Sequence, residues 1–84
     1  MQIIVKLYPT DILEEVFVKC KELSILTNED YTIELEGVSC TICKYHAAIL
    51  PDNQEELEHF NEFMTKYYRF LVKMYSNNPI QYSY

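Results

Sequence analysis

The stretch YTIELEGVSCTI, residues 31 to 42, alternates with period two on both sides of Glu36-Gly37, and Gly37 is the only glycine in the chain. A two-residue turn at that dipeptide places Leu35 opposite Val38, Ile33 opposite Cys40 and Tyr31 opposite Ile42. All six are apolar. On the other face Glu34 meets Ser39 and Thr32 meets Thr41, both polar pairs. Strand side chains alternate strictly, so a slip of one residue would send every apolar group to the wrong face. Five matching pairs therefore specify a hairpin and its register together. Glu-Gly is a weaker turn signal than Asn-Gly, and the pairing rather than the turn carries the assignment.

The hairpin disposes of the one stretch that looks like chemistry. VSCTICKYH (38–46) holds Cys40 and Cys43 at CxxC spacing, with His46 three residues further on. Residues three apart on a strand point to opposite faces. The two thiols therefore cannot share a zinc ion or close a disulfide without breaking the hairpin. A tetrahedral site also needs a fourth ligand, and Cys20 belongs to a helical stripe. A zinc or thiol site on Cys40, Cys43 and His46 is the least favoured of three readings, and a Cys43 activated by Lys44 and His46 meets the same objection. His59 sits among Glu55, Glu56 and Glu62, where a solvated imidazole is unremarkable. Past Ile42 the parity fails, because Lys44 and His46 would be the next inward residues. A bulge that turns Tyr45, Ala47 and Ile49 inward restores it, with a short helical turn over YHAAIL as the alternative.

On the N-terminal side, QIIVKLY reads as a strand stopped by Pro9, with Ile3, Val5 and Leu7 on one face. Thr10 or Asp11 then caps a helix whose stripe is Ile12, Leu13, Val16, Phe17, Cys20 and Leu23, and TNED (27–30) is a loop. Asp52 or Asn53 caps a second helix running to about Ser76, where Asn77, Asn78 and Pro79 end it. Its stripe is Leu57, Phe60, Met64, Tyr67, Leu71 and Met74. Beside that stripe Phe63, Tyr68, Phe70 and Tyr75 widen the apolar arc beyond what one sheet face covers. Exposed aromatic rings gathered together mark an interface, so these four are expected to build a two-fold homodimer. IQYSY (80–84) alternates as a last short strand would.

Eighty-four residues make one domain, 1–84, and the 12 tyrosines and phenylalanines make the chain too aromatic for disorder. The longest apolar run, AAIL, is far short of a membrane span, and no secretory signal is expected. Three cysteines suit buried thiols in a reducing interior, so the expectation is a soluble, cytoplasmic protein with no membrane partner. Of the net charge of −6, residues 27–62 hold nine acids against Lys44, while residues 63–84 hold Lys66, Arg69, Lys73 and no acid. Acidity of this degree repels phosphates and disfavours direct nucleic-acid binding. Along the second helix the order of charge is also what the helix dipole prefers. No cofactor is expected.

The order strand, helix, strand, strand, helix and a possible final strand resembles the ferredoxin-like split βαβ plan. That plan implies an α+β domain with an antiparallel three- or four-stranded sheet and two helices on one face. Fold at this level says little about function. Metal-carrying domains of the fold have CxxC after the first strand, where this chain has Tyr8-Pro9-Thr10. RNA-recognition domains have aromatic and basic inner strands, where this chain has Thr32, Glu34 and Thr41. Histidine phosphocarriers phosphorylate a histidine after the first strand, and residues 9–16 contain none. Neither a paired nucleophile nor a glycine-rich phosphate loop is present, so an enzyme is not expected.

In size, acidity, tyrosine content and scarcity of glycine the chain is similar to small host-takeover proteins of bacteriophages. The likeness implies a non-enzymatic inhibitor that occupies a basic, nucleic-acid-binding surface of a host protein, as a DNA mimic does. The acidic face expected to do so comprises Glu29, Asp30, Glu34, Glu36, Glu55, Glu56, Glu58 and Glu62. A ligand-binding regulatory domain of ferredoxin-like fold is the alternative.

Overall fold

The computed structural model describes residues 2–76, with side chains, and the backbone of residues 81–82. In chain order the elements are β1 (Gln2–Val5), α1 (Leu13–Thr27), β2 (Asp30–Leu35), β3 (Val38–Ile42), β4 (Ala47–Pro51), a 3-10 turn over Gln54–Glu56, α2 (Leu57–Met74) and β5 (Gln81–Tyr82). β2 and β3 pair in the register that the side chains dictate, from Tyr31 opposite Ile42 to Leu35 opposite Val38. Gly37 has φ +73°, and Glu36 keeps a negative φ. Positive φ at the second loop position alone is the type II pattern rather than the usual hairpin turn, and only glycine adopts it at no steric cost.

Neither a bulge nor a helical turn follows Ile42. The chain reverses again through Cys43–His46, closed by a 2.9 Å bond from the Cys43 N–H to the His46 carbonyl. β4 then runs antiparallel to β3, pairing Ile42 with Ala47, Cys40 with Ile49 and Val38 with Pro51. Ala47 and Ile49 are buried as a bulge would have had them, but Tyr45 is at the loop and 60% exposed.

The protein is thus α+β, a mixed sheet with two helices on one face as the ferredoxin-like plan has them, though no strand is inserted into either βαβ unit. The expectation of a wholly antiparallel sheet is corrected. Strand order is β1-β2-β3-β4-β5, and the two outer pairs, β1–β2 and β4–β5, are parallel. Each outer pair is joined through a helix, and a crossover of that kind delivers the second strand parallel to the first. The strands flanking each helix are direct neighbours. β1, β2, β4 and β5 all run one way, and both crossovers step in the same direction across the sheet. Crossovers of one hand under those conditions land on one face.

That face holds the core. Phe17 and Cys20 from α1, and Phe60, Phe63, Leu71 and Tyr75 from α2 and the residue after it, bury themselves on Tyr31, Ile33, Val38, Cys40, Ile42, Ala47 and Ile49. Among the described residues no helix lies on the opposite face of the sheet. There Thr32 is buried beneath Gln2, whose amide donates to the Thr32 hydroxyl, and beside Thr41, 2.9 Å away.

The expected homodimer patch is absent at three of its four rings. Phe63 is 6% exposed and Tyr75 1%, while Phe70 is half-buried against the core. Phe17 explains the coverage: its ring meets Phe63, Tyr67 and Phe70 at centroid distances of 5.6–6.2 Å, so α1 closes over rings that a sheet alone would leave open. Tyr68 alone of the four is on the outer side, at 40% exposure.

Helix ends differ in detail from expectation. α1 starts at Leu13 without a side-chain cap, because the Asp11 carboxylate instead accepts the Tyr8 N–H at 2.8 Å and tightens the preceding turn. Asn28, at φ 58°, ends α1 in the left-handed conformation with its N–H on the Ser24 carbonyl. Asn53 caps the second helical segment, its side chain accepting the Glu55 N–H at 2.9 Å. α2 ends at Met74; Asn77, Asn78, Pro79, Ile80, Ser83 and Tyr84 lie outside the described residues.

Candidate functional site

β1, β2 and β4 all point toward the Glu36-Gly37 turn, so the connections that leave them begin at that end of the molecule. Both helices therefore start there, and both carry acids in their opening turns: Glu14 and Glu15 on α1, Glu58 on α2, Glu55 and Glu56 in the 3-10 turn before it. The helix N-terminus, with its unpaired N–H groups, favours such acids. The hairpin tip adds Glu34 and Glu36, and the β4–α2 connection adds Asp52. With Asp11 and Glu62, ten of the 13 acidic residues fall at or near this one end.

His59 binds the tip to the helix. Its Nδ1 donates to Glu56 Oε2 at 2.6 Å, and its Nε2 lies 3.6 Å from Glu36 Oε1 across the turn. The Glu56 hydrogen bond raises the imidazole pKa above its ordinary value; desolvation opposes it, and the charges of Glu36, Glu56 and Glu62 add to the rise. When protonated, the imidazole bridges the Glu36 and Glu56 carboxylates across the turn. Asp52 is fixed as well: its N–H donates to the Gly37 carbonyl, and its carboxylate accepts the Ser39 hydroxyl at 3.0 Å. A cleft of about 390 Å³ opens beside the hub, with Leu13, Leu35 and Phe63 below and Glu36, Glu62 and Lys66 at its edge.

Six of the eight acids expected to form one face are gathered here: Glu34, Glu36, Glu55, Glu56, Glu58 and Glu62. Glu29 and Asp30 are not. They open β2, roughly 20 Å along the strand from Glu36 at about 3.3 Å per residue. Asp30 is engaged there with Cys43, whose thiol donates to its carboxylate. In their place stand Asp11, Glu14, Glu15 and Asp52, which reading the sequence missed. The signal that could have found them is strand direction, since a helix leaving a strand begins where that strand ends. Lys44, Arg69 and Lys73 collect at the far end with the β3–β4 loop and the C-terminus of α2, tied together by the Tyr75 hydroxyl donating to the Cys43 carbonyl at 2.6 Å.

The thiols offer little nucleophilic chemistry. Cys20, Cys40 and Cys43 are free and buried. Burial, and then the neighbouring thiols, pushes Cys40 up to about 12. Burial followed by the hydrogen bond to Asp30 does the same for Cys43, also to about 12. Cys43 is enclosed, at 8% exposure. Among the described residues no group of three or more His, Cys, Asp or Glu side chains is placed to hold a metal ion, and no helix is long and apolar enough to cross a membrane. No protein-family model matches the chain, and no curated protein or solved structure shows significant similarity to it.

Proposed function

We propose that the protein is a non-enzymatic binding module that docks its acidic end on a basic surface of another protein in the cytoplasm. The observation that carries this reading is the collection of ten carboxylates at the pole where both helices begin, around a hairpin tip pinned by His59. Helix dipoles account for acids in the opening turns but not for Glu34, Glu36 or Asp52, which belong to the hairpin and the β4–α2 connection. Charge of one sign on a fixed surface steers association and selects a partner of opposite sign more than it adds raw affinity. A nucleic-acid-binding protein presents such a surface. The compositional likeness to phage host-takeover proteins supports an inhibitor that covers it.

The test is capture of partners from lysate by the wild-type chain and by a variant carrying Glu36→Gln, Glu55→Gln, Glu58→Gln and Glu62→Gln. Glu56 is left intact because it holds His59. Exposed charges each contribute about 0–1 kcal/mol to stability, so the variant should melt close to the wild type. A partner held at low salt, released at high salt and lost from the variant is the expected result. A partner retained equally by both proteins would show that the acidic end is only a solvated surface.

A further inference from the structure

β1 is the outermost strand on its side of the sheet, so among the described residues its outer N–H and C=O groups have no ladder partner. Such an edge is a template for a further strand. Two large apolar side chains stand exposed beside it, Ile4 at 57% on the helix-free face and Ile12 at 56% where α1 begins. Between β1 and α1 lies a cleft of about 420 Å³ floored by Ile3 and Val5 and walled by Ile12, Val16 and Leu23. An unpaired edge above an apolar cleft is the arrangement that accepts an added strand, with backbone bonds to the edge and side chains in the cleft.

The sequence of the edge says which strand fits. Pairing β1 antiparallel to a second β1 about Ile4 sets Ile3 opposite Val5 and Val5 opposite Ile3, all four facing the helix layer. The same register sets Ile4 against Ile4 on the open face, and Gln2 against Lys6 beyond it. Every apolar residue meets an apolar one and the polar residues meet each other, which is the criterion that fixes β2 on β3. A two-fold axis normal to the sheet keeps both helix layers on one side, so Ile12 and the two clefts face each other across it. Asp11 and Glu15, the part of the acidic pole that reaches the cleft's lip, are joined there by Lys19, so each copy offers the other both signs of charge.

We infer that the protein is a homodimer joined by antiparallel pairing of its β1 edges, with Ile4 on the two-fold axis. The inference is independent of the acidic-end reading. The test is sedimentation equilibrium of the full chain at micromolar to sub-millimolar concentration. The wild type should approach twice the chain mass. Ile4→Lys, which brings two ammonium groups together at the axis, should raise the dimer dissociation constant by at least about a hundredfold, and at concentrations where both proteins are monomeric it should leave the melting temperature unchanged. Ile12→Glu serves as a second variant on the helix side and should also weaken the dimer.

Register is tested by charge. Gln2→Lys sets an ammonium against Lys6 of the second copy and should weaken pairing, and adding Lys6→Glu should restore it. A wild type that stays monomeric, a dimer indifferent to Ile4→Lys, or a double variant no tighter than Gln2→Lys alone would each overturn the inference. If a monomeric wild type instead shifts the amide resonances of Ile3, Ile4 and Val5 on adding an extended apolar peptide, the edge serves a foreign strand and self-pairing is wrong.

Discussion

Replacing Gly37 with alanine tests how the hairpin tip is held to α2. At φ +73° an L-residue pays about 1–2 kcal/mol for the left-handed conformation. The new Cβ would also lie 2.5 Å from Glu56 Oε2 and 3.1 Å from His59 Cβ. The Glu56 carboxylate is the end of a flexible side chain and can swing away, at the loss of its bond to His59. The His59 Cβ is fixed to the helix backbone, so that contact eases only if the turn lifts. Overpacking of this kind costs about 1–3 kcal/mol, and the two terms together give roughly 2–5 kcal/mol. A domain of this length has about 4–13 kcal/mol in all, so the loss should be conspicuous in urea denaturation, as a lower midpoint with unchanged slope. Gly37→Asn isolates the steric part, because asparagine tolerates the left-handed region better. Gly37→Ala on a Glu56→Ala background removes one contact and should cost less than on the wild type, in a double-mutant cycle. A midpoint for Gly37→Ala within error of the wild type would refute both the strained turn and the close tip-to-helix packing.

Two further predictions concern the ends of the molecule. Tyr75→Phe keeps the ring in the core but leaves the Cys43 carbonyl without its 2.6 Å donor, and should cost about 1–3 kcal/mol in the same denaturation assay. His59 has a raised pKa when folded, so the stability it contributes is fully present below its ordinary value near 6.5 and is lost as pH rises through the folded value. Wild-type stability relative to His59→Gln should therefore fall as pH rises above the ordinary imidazole value, and parallel curves for the two proteins would show that the hub carries no linkage.

The parts of this fold that were legible in the sequence are those in which two local signals agreed. The first hairpin showed both parity and polarity across five pairs, and a weak turn dipeptide did not obscure it. The second hairpin passes the same mirror test about Lys44-Tyr45, pairing Ile42 with Ala47, Cys40 with Ile49 and Val38 with Pro51. It was obscured because the loop holds no glycine, asparagine or proline, and a parity break looks the same for a bulge as for a reversal. The rings of α2 were misjudged for a different reason. Periodicity gives the width of an apolar arc but not how many neighbours cover it, and here Phe17 of α1 supplies the cover for Phe63 and Phe70. Of the ten acids at the pole, six (Glu34, Glu36, Glu55, Glu56, Glu58 and Glu62) were visible within a charge run. Asp11, Glu14 and Glu15 join it only because β1 runs parallel to β2, a property of pairing that no local window contains.

Strand direction also decides whether an acidic pole and a paired edge can coexist. The pole lies where β1, β2 and β4 end, at the Glu36 turn, whereas the β1 edge runs along the side of the sheet. Antiparallel pairing about Ile4 reverses the second copy end for end, so its Glu36 turn points the opposite way from the first. Two chains of charge −6 would repel if their acidic poles met. Held at opposite ends, the carboxylates of the hairpin tip, the β4–α2 connection and α2 in the two copies stand well beyond a Debye length of about 8 Å at physiological salt, where their repulsion is largely screened. The lip they share holds Lys19 with Asp11 and Glu15 rather than acids alone. Of the ten acids at the pole only Asp11 and Glu15 line the cleft at this edge, so dimerisation leaves the carboxylates of the hairpin tip, the β4–α2 connection and α2 open to a basic partner.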